Sequence, residues 1–233
     1  MKKNGFTLIE VIVSTAVGAA IMVAVYGFMT LVQKNSVNAD RKIVTLQDTR
    51  TVLDLMAMEI RMASYNPAGD VKTWSNNPSP ALLCMPNLTA AQVIYKGIRQ
   101  ADANSITVAM DLDGSGTIAD GANEWIVYSY DGVSTITRSS GCVDSAILGG
   151  TALSSNVRNA VAGVNLFTYF DGNNIDITNT VLSSPASTIN GIPAIRRILI
   201  TIVADTADID LNTKQPKRVV YSTSVIVRNH ALN

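Results

Sequence analysis

The sequence predicts an α+β fold in which one long N-terminal α-helix packs on an antiparallel β-sheet domain. Two observations lead to this prediction. Residues 1–66 contain no proline and place apolar residues at helical spacing, whereas beyond about residue 100 the apolar residues recur with a period of two. One helical pattern followed by many strands is typical of an α+β architecture. With 233 residues, the chain has room for this helix and one globular domain of ordinary size.

The first half of the predicted helix is apolar. From Val11 to Val32, 22 residues carry no formal charge, and about 20 apolar residues in a helix are enough to cross a bilayer core. Glu10 comes directly before this apolar segment. A carboxylate there costs roughly 2.5–3.5 kcal/mol if it reaches the bilayer centre, so we expect a functional partner for it.

The second half of the predicted helix is amphipathic. The pattern continues past Lys34 and predicts one helix over residues 6–64, about 90 Å long at 1.5 Å per residue. Gly18 and Gly27 are its weak points, each costing about 1 kcal/mol relative to alanine. Arg50 interrupts the apolar stripe, which favours packing on the chain's own domain over a coiled coil. The stripe consists of Ile43, Leu46, Leu53, Met56 and Ile60.

The remainder of the chain is predicted to be a β-sheet domain. Residues 66–80 are rich in turn formers and predict the loop that leaves the helix. Asp131-Gly132 and Asp171-Gly172-Asn173 predict hairpins between successive strands. The last two runs are the longest and have the alternation of central strands. The predicted strands cover residues 105–110, 124–130, 133–138, 161–170, 174–179, 195–204 and 218–228.

Composition excludes several classes of function. Lys and Arg total 18, as do Asp and Glu, and no basic cluster interleaved with aromatic residues indicates nucleic acid as a partner. His230 is the only histidine and lies near the end of the chain, so a histidine-based catalytic triad is not expected. Trp74 and Trp125 are expected to be packing residues rather than a sugar platform. We predict that the protein is not an enzyme.

The first ten residues carry a specific motif. Gly5-Phe6-Thr7-Leu8-Ile9-Glu10 resembles the cleavage and methylation motif of type IV prepilins and type II secretion pseudopilins. The resemblance implies a type IV pilin-like fold and cleavage by prepilin peptidase between Gly5 and Phe6, with N-methylation at Phe6. It divides the chain into a leader (residues 1–5), a transmembrane and assembly helix (6–32), its amphipathic continuation (33–65) and a β-rich periplasmic or extracellular domain (66–233).

Two other interpretations of the N-terminal segment were weighed. A cleaved secretory signal would end at small residues such as Gly18-Ala19-Ala20, but the apolar segment continues past them. A plain membrane anchor explains the length but neither Gly5 nor Glu10. Lys2 and Lys3 favour a cytoplasmic N-terminus, while the cations beyond the apolar segment, Lys34, Arg41 and Lys42, weaken that charge argument.

Glu10 has a role that fits its position. In an assembled fibre the apolar helices pack against each other at low dielectric, where an unpaired carboxylate is costly. The resemblance implies that Glu10 pairs with the ammonium group at Phe6 of a neighbouring subunit and so sets the axial register. The alternative is that Glu10 only reaches the lipid headgroups.

An acidic segment between two predicted strands resembles the first part of an EF-hand loop. Oxygen ligands at alternate positions and Gly116 at the sixth position suit Ca²⁺. Ala122 stands at the twelfth position, where an EF-hand has its bidentate glutamate. An ordinary acidic turn, in which aspartates bond their own backbone, is the alternative. The candidate ligands are Asp111, Asp113, Ser115, Thr117, Asp120 and Glu124; no other cofactor is expected.

The two cysteines, Cys84 and Cys142, do not have the spacing of a metal site or a CxxC redox pair. Outside the cytoplasm a disulfide between them is permitted. It would close a loop of 58 sequence steps and contribute about 4 kcal/mol on the chain-entropy estimate. Two buried thiols are the alternative.

Two further segments extend the resemblance. Residues 46–65 resemble the helix of PilW-like minor pilins and J-type minor pseudopilins, and residues 196–201 and 221–229 resemble their final strands. The resemblance implies a minor pilin anchored in the bacterial inner membrane with its domain in the periplasm, then assembled into a type IV pilus. Its partners would be prepilin peptidase, other pilins and the inner-membrane assembly platform. The alternatives are a J-type pseudopilin of a type II secretion system and, from another class, a membrane-tethered calcium- or ligand-binding adhesin.

Overall fold

A computed structural model describes residues 7–67, 97–116, 123–141, 143–150, 155–182 and 191–231. The chain begins with helix α1, Leu8–Arg61, which is 54 residues long and uninterrupted. At 1.5 Å per residue α1 is about 80 Å long. The sequence predicted residues 6–64, and the observed helix is shorter at both ends because Thr7 caps its start and the backbone turns away after Met62.

The end of α1 is fixed by close contact with the sheet domain. Ser64 adopts a left-handed conformation (φ 67°), and its N–H donates to the carbonyl of Ala109 at 3.1 Å. Gly97 lies against this turn, and its N–H donates to Ser64 Oγ at 2.7 Å. A Cβ at residue 97 would lie 1.8 Å from the backbone nitrogen of Ser64. Only glycine fits there without a shift of the helix end.

Nine strands and two short helices follow in the described part of the chain. Helices α2 and α3 cover Asn159–Ala162 and Thr178–Leu182, and 3₁₀ turns cover Ile192–Ala194 and Asn229–Ala231. The strands are β1 (Ile98–Ala101), β2 (Ser105–Ala109), β3 (Trp125–Tyr130), β4 (Ile136–Ser140), β5 (Val143–Leu148), β6 (Ser155–Val157), β7 (Phe167–Phe170), β8 (Arg197–Ile209) and β9 (Pro216–Ile226).

The strands form two antiparallel sheets. Strands β1 to β5 follow one another in a five-stranded meander. In the four-stranded sheet, β8 pairs with β9 along one edge and with β6 and β7 along the other. The register joins Arg197 to Ile226 at one end of the β8–β9 pair and Ile209 to Pro216 at the other. Among the described strands, β9 therefore pairs only with β8, although its sequence predicted a central strand.

The core lies between the second half of α1 and the two sheets. On α1 the buried face contains Leu53, Met56 and Ile60. Inward-facing residues of β8 alternate along the strand, with Ile198, Ile200, Ile202 and Ala204 fully buried. The predicted α+β fold, a long N-terminal helix packed on antiparallel sheet, is confirmed. The helix packs on the chain's own domain, as predicted from the position of Arg50.

Two predicted strands are wrong. Residues 161–170 were predicted as one strand, but β7 occupies only its second half. Asn159 bonds the backbone of β8 through both side-chain atoms, to the carbonyl of Thr201 at 2.7 Å and the N–H of Val203 at 2.8 Å, and this favours a helical turn. Residues 174–179 pair with β7 only at Asp176. Asp176 Oδ1 accepts the N–H of Thr178 at 2.8 Å, so α3 begins there.

Candidate functional site

The apolar first half of α1 is exposed along its whole length. Its most apolar 18-residue window has a mean hydropathy of 2.3 and no buried residue, and Ile21 and Phe28 are 59% and 68% exposed. By length and composition, this helix can cross a membrane. A continuous exposed apolar segment of this length indicates that lipid or other apolar helices surround it.

Glu10 lies at the first turn of this helix and forms a reciprocal cap with Thr7. The backbone N–H and the hydroxyl of Thr7 each donate to Glu10 Oε2 at 3.0 Å. In return, the N–H of Glu10 donates to Thr7 Oγ1 at 3.4 Å. This is a capping box, which satisfies two of the free N–H groups at a helix start. The spacing of threonine and glutamate in the sequence is the signal that could have predicted it.

The cap leaves Glu10 with further acceptor capacity. Glu10 Oε1 accepts no hydrogen bond from the residues that the structure describes. A carboxylate oxygen can accept two hydrogen bonds, and a negative charge is favoured at a helix N-terminus. The chain can therefore cap its own helix with Oε2 and offer Oε1 to a cation from outside. Gly5 and Phe6, the predicted processing site, lie outside the described residues.

The structure brings three of the predicted calcium ligands together. Each of Asp111, Asp113 and Glu124 offers a carboxylate oxygen, and these oxygens lie within 4.8 Å of one another. The pairing of β2 with β3 places Asp111 beside Glu124, since Met110 N–H donates to the carbonyl of Glu124 at 2.9 Å. Asp111 and Glu124 are buried, whereas Asp113 is exposed.

Backbone N–H groups hold these carboxylates in place. Asp111 accepts from Gly114 at 2.8 Å and Gly116 at 3.1 Å, and Glu124 Oε1 accepts from Leu112 at 2.8 Å. The N–H of Ser115 donates to Asp113 at 2.8 Å, and this bond lowers the pKa of Asp113.

Oxygen ligands fixed on a turn suit a hard cation such as Ca²⁺, because a carboxylate has about four acceptor sites and can accept backbone bonds while it binds an ion. Glu124 Oε1 itself accepts from both Leu112 and Asp113. The same contacts also describe an acidic turn. Of the other three predicted ligands, Thr117 and Asp120 lie outside the described residues, and Ser115 contacts Asp113 through its backbone N–H.

A partly buried ionic contact between α1 and the five-stranded sheet was not predicted. Arg138 on β4 binds both carboxylate oxygens of Glu59 on α1, and the hydroxyl of Tyr128 on β3 donates to the same carboxylate. Burial raises the pKa of Tyr128, with the bond to Glu59 adding to the effect. The hydrogen bonds to Glu59 raise the pKa of Arg138. In the sequence, a glutamate between the buried Met56 and Ile60 was the available signal.

The remaining residues considered from the sequence have structural positions or lie outside the described part. His230 is buried, with Nδ1 3.3 Å from Ser64 Oγ and Nε2 2.9 Å from the carbonyl of Ile192, so it holds the C-terminal turn against the end of α1. Trp125 is buried, as packing requires. Trp74 and the two cysteines, Cys84 and Cys142, for which a disulfide and two thiols were the alternatives, lie outside the described residues.

Comparison with known proteins gives one match. Residues 1–26 match the sequence profile of the family described as the prokaryotic N-terminal methylation motif. No curated protein and no solved structure shows significant similarity to the chain. The match covers the predicted processing site, Glu10 and most of the exposed apolar half of α1.

Proposed function

Because the chain carries the N-terminal methylation motif of the type IV prepilin and pseudopilin superfamily at residues 1–26, we propose that it is a minor pilin of a type IV pilus. In this proposal, prepilin peptidase cuts between Gly5 and Phe6, the new N-terminus is methylated, and the subunit assembles near the fibre tip where assembly begins. The observation that carries the proposal is the exposed apolar half of α1 that follows the motif. Proteins with this motif are structural pilin subunits rather than enzymes.

The apolar half of α1 suits two successive environments. Full burial of one Val, Leu, Ile, Phe or Met side chain contributes about 1.5–3 kcal/mol, and exposed side chains of these types recur from Leu8 to Val32. Lipid supplies that burial before assembly, and the helices of neighbouring subunits supply it in the fibre. The inner membrane is therefore the proposed first location, with the sheet domain in the periplasm.

Glu10 is the proposed assembly contact. Its Oε2 completes the cap with Thr7, and its Oε1 is directed to the ammonium group of Phe6 on a neighbouring subunit. In lipid the carboxylate remains at the edge of the apolar segment. In the fibre the pair neutralises two charges that would be costly alone at low dielectric.

The assignment to a minor pilin depends on the resemblance of residues 46–65, 196–201 and 221–229 to PilW-like subunits. A J-type minor pseudopilin of a type II secretion system is the alternative, because those segments resemble it equally. Loss of protein export without loss of surface fibres in a deletion strain supports the secretion system. Recovery of the protein in sheared surface fibres supports the pilus.

A second function has a specific observation in its favour. The convergence of Asp111, Asp113 and Glu124 supports a membrane-tethered, calcium-binding adhesin. In that case the isolated surface fibres, or cells that display the protein, bind a ligand in a manner that depends on Ca²⁺.

Mass spectrometry of the mature N-terminus tests the main proposal. We expect a chain that begins at methylated Phe6. A chain that begins near Ala20 contradicts the proposal and indicates an ordinary signal peptide. Gly5→Trp serves as the control, since a bulky residue before the cut is expected to leave the leader attached while the helix still enters the membrane.

A further inference from the structure

The hairpin formed by β8 and β9 lies against α1 just beyond the apolar segment. Arg41 Nη1 donates to the carbonyl of Ile209 at 3.0 Å, and the N–H of Leu211 donates to Asn38 Oδ1 at 3.0 Å. Further along, Asn212 Nδ2 donates to Asn35 Oδ1 at 2.7 Å. The hairpin residues 209, 211 and 212 therefore contact the helix residues 41, 38 and 35, so the chain runs along α1 toward its N-terminus. The tip of the hairpin therefore faces the end of the apolar segment.

The position of this tip relative to a membrane follows from helix geometry. The apolar segment ends at Val32, and Asn35 is three residues later, about 4.5 Å along the axis at 1.5 Å per residue. The headgroup layer on each side of a bilayer is roughly 5–7 Å thick. When α1 spans a membrane, the tip residues Asn212, Thr213 and Lys214, all exposed, lie at the level of the headgroups.

The charged side chains at this level, Lys34 and Lys214, are cationic. Lys34 on α1 and Lys214 at the tip are exposed and form no ion pair with any described residue. Lys217 is further from the tip and is bonded to Asp210 at 3.2 Å. Over residues 33–42 and 206–217 there are five basic and three acidic side chains. Lys34 and Lys214 are the two of these cations that lie nearest to the apolar segment.

We propose that Lys34 and Lys214 bind the phosphates of anionic lipid headgroups on the side of the membrane that carries the sheet domain. The proposal rests on the proposed membrane-anchored function. It gives a role to Lys34, one of the cations that weaken the charge argument for a cytoplasmic N-terminus. Lipid is favoured over an acidic partner protein because Lys34 follows the apolar segment by two residues, and Lys214 follows by two residues Asn212, which bonds Asn35 near the end of that segment. Binding would hold the domain upright on the membrane before assembly, and entry into a fibre would release it.

Hydrogen exchange of the hairpin tip tests this proposal in the full-length chain. The protein is placed in nanodiscs of phosphatidylcholine alone or mixed with phosphatidylglycerol. Exchange of the Leu211 amide requires release of its bond to Asn38. Lipid bound at the hairpin tip holds the tip against α1 and should therefore slow this exchange. We expect roughly tenfold slower exchange with phosphatidylglycerol at low salt, and loss of the difference at high salt, because each lysine near an anionic surface contributes modestly and is screened by salt.

Two variants sharpen the test. In the double variant Lys34→Glu, Lys214→Glu we expect equal exchange in the two lipid mixtures; the neutral pair Lys34→Gln, Lys214→Gln gives the same result if the acidic pair folds poorly. Arg228→Glu is the matched control. Arg228 is exposed and lies just after the end of β9. The length of β9, about 35 Å at 3.3 Å per residue, separates it from the hairpin tip, so this variant should keep the lipid dependence.

The outcomes separate this inference from the proposed function. If wild-type protein enters nanodiscs but the tip exchanges equally in both lipids, the inference is overturned and membrane anchoring stands. In that case an acidic partner protein is the remaining binding partner for the two lysines. If the chain does not enter nanodiscs, the anchoring and the inference are both overturned.

Discussion

Arg138 on β4 forms a bidentate ion pair with Glu59 on α1, with its Nε 3.0 Å from Oε2 and its Nη2 2.8 Å from Oε1. The pair joins α1 to the five-stranded sheet, and the two side chains are only 19% and 13% exposed. Removing one partner of a buried ion pair leaves the other charge uncompensated. The contact is therefore expected to matter more than the surface pairs of this chain.

We predict that Arg138→Ala and Glu59→Ala each lower the free energy of unfolding by about 2–4 kcal/mol, since each leaves a mostly desolvated charge without its partner. Chemical denaturation of the variants measures the loss. Arg50→Ala is the control, because Arg50 and Asp54 are exposed and 3.9 Å apart, and such a pair contributes about 0–1 kcal/mol. Equal losses for Arg50→Ala and Arg138→Ala would refute the special role of the buried pair.

The roles of Glu10 and Thr7 can be distinguished by substitution. Glu10→Gln keeps an acceptor for the cap but removes the charge, so we predict normal cleavage and membrane insertion with reduced incorporation into fibres. Thr7→Ala removes one half of the capping box, at a cost of about 1 kcal/mol in helix stability, and should leave incorporation close to that of wild type. Immunoblots of sheared fibres and membranes measure both. Normal incorporation of Glu10→Gln contradicts the proposed pairing.

The hairpin that docks on α1 should loosen in acid. Hydrogen bonds from the N–H of Thr213, and then of Asn212, together with Lys217, lower the pKa of Asp210 to about 2, below the ordinary value of about 3.9. A carboxylate whose pKa is lower in the folded state stabilises that state above its ordinary pKa and loses the effect as the pH falls. We predict that the stability difference between wild type and Asp210→Asn is full above about pH 4 and shrinks toward pH 2.

Thermal unfolding of both proteins across this pH range measures that difference. Asp131→Asn provides a comparison from the other sheet, because Asp131 also accepts turn N–H groups, from Val133 and Ser134 at 2.8 Å each, but lies in the turn between β3 and β4 rather than in the hairpin of β8 and β9. Hydrogen exchange at Leu211 should respond to Asp210→Asn and not to Asp131→Asn. A difference that stays constant from pH 5 to pH 2 contradicts the prediction.

Calcium binding at the acidic loop predicts a higher melting temperature in the presence of Ca²⁺. If the acidic loop binds Ca²⁺ with the affinity of an extracellular module, about 10⁻⁴–10⁻³ M, millimolar Ca²⁺ should raise the melting temperature and Mg²⁺ should have less effect. Asp113→Asn should abolish the rise, since Asp113 is the exposed ligand. Asp131→Asn should retain it. An unchanged melting temperature in wild type removes the calcium site.

Several features of the fold could be predicted because their signals are local. The absence of proline and the apolar stripe that includes Leu53 and Met56 predicted one long helix packed on its own domain. The strands β2 and β3 could be predicted from alternation, and their pairing explains how Glu124 reaches Asp111. Asp131 accepts the N–H groups of Val133 and Ser134, so β4 begins three residues later than its sequence predicted.

Other features could not be predicted because they depend on distant partners. The pair of Glu59 and Arg138 joins residues 79 positions apart, and no local pattern selects them. Asn159 forms a helical turn because its side chain bonds β8, 42 to 44 residues further along. The docking of the hairpin tip on Asn35 and Asn38 depends on the lengths of β8 and β9 relative to α1, which only the folded domain reveals.

The unbroken course of α1 from the apolar half into the core has a mechanical consequence. Strand β9 runs in the same direction as α1, from the Asn38 level at its start to the helix end, where His230 bonds Ser64. A force that pulls the apolar end along the helix axis therefore loads the interface of α1 with β8 and β9 in shear, with all its contacts strained at once. Contacts arranged in this way must break together, so the domain should resist traction along its own helix better than a sideways pull on the sheet.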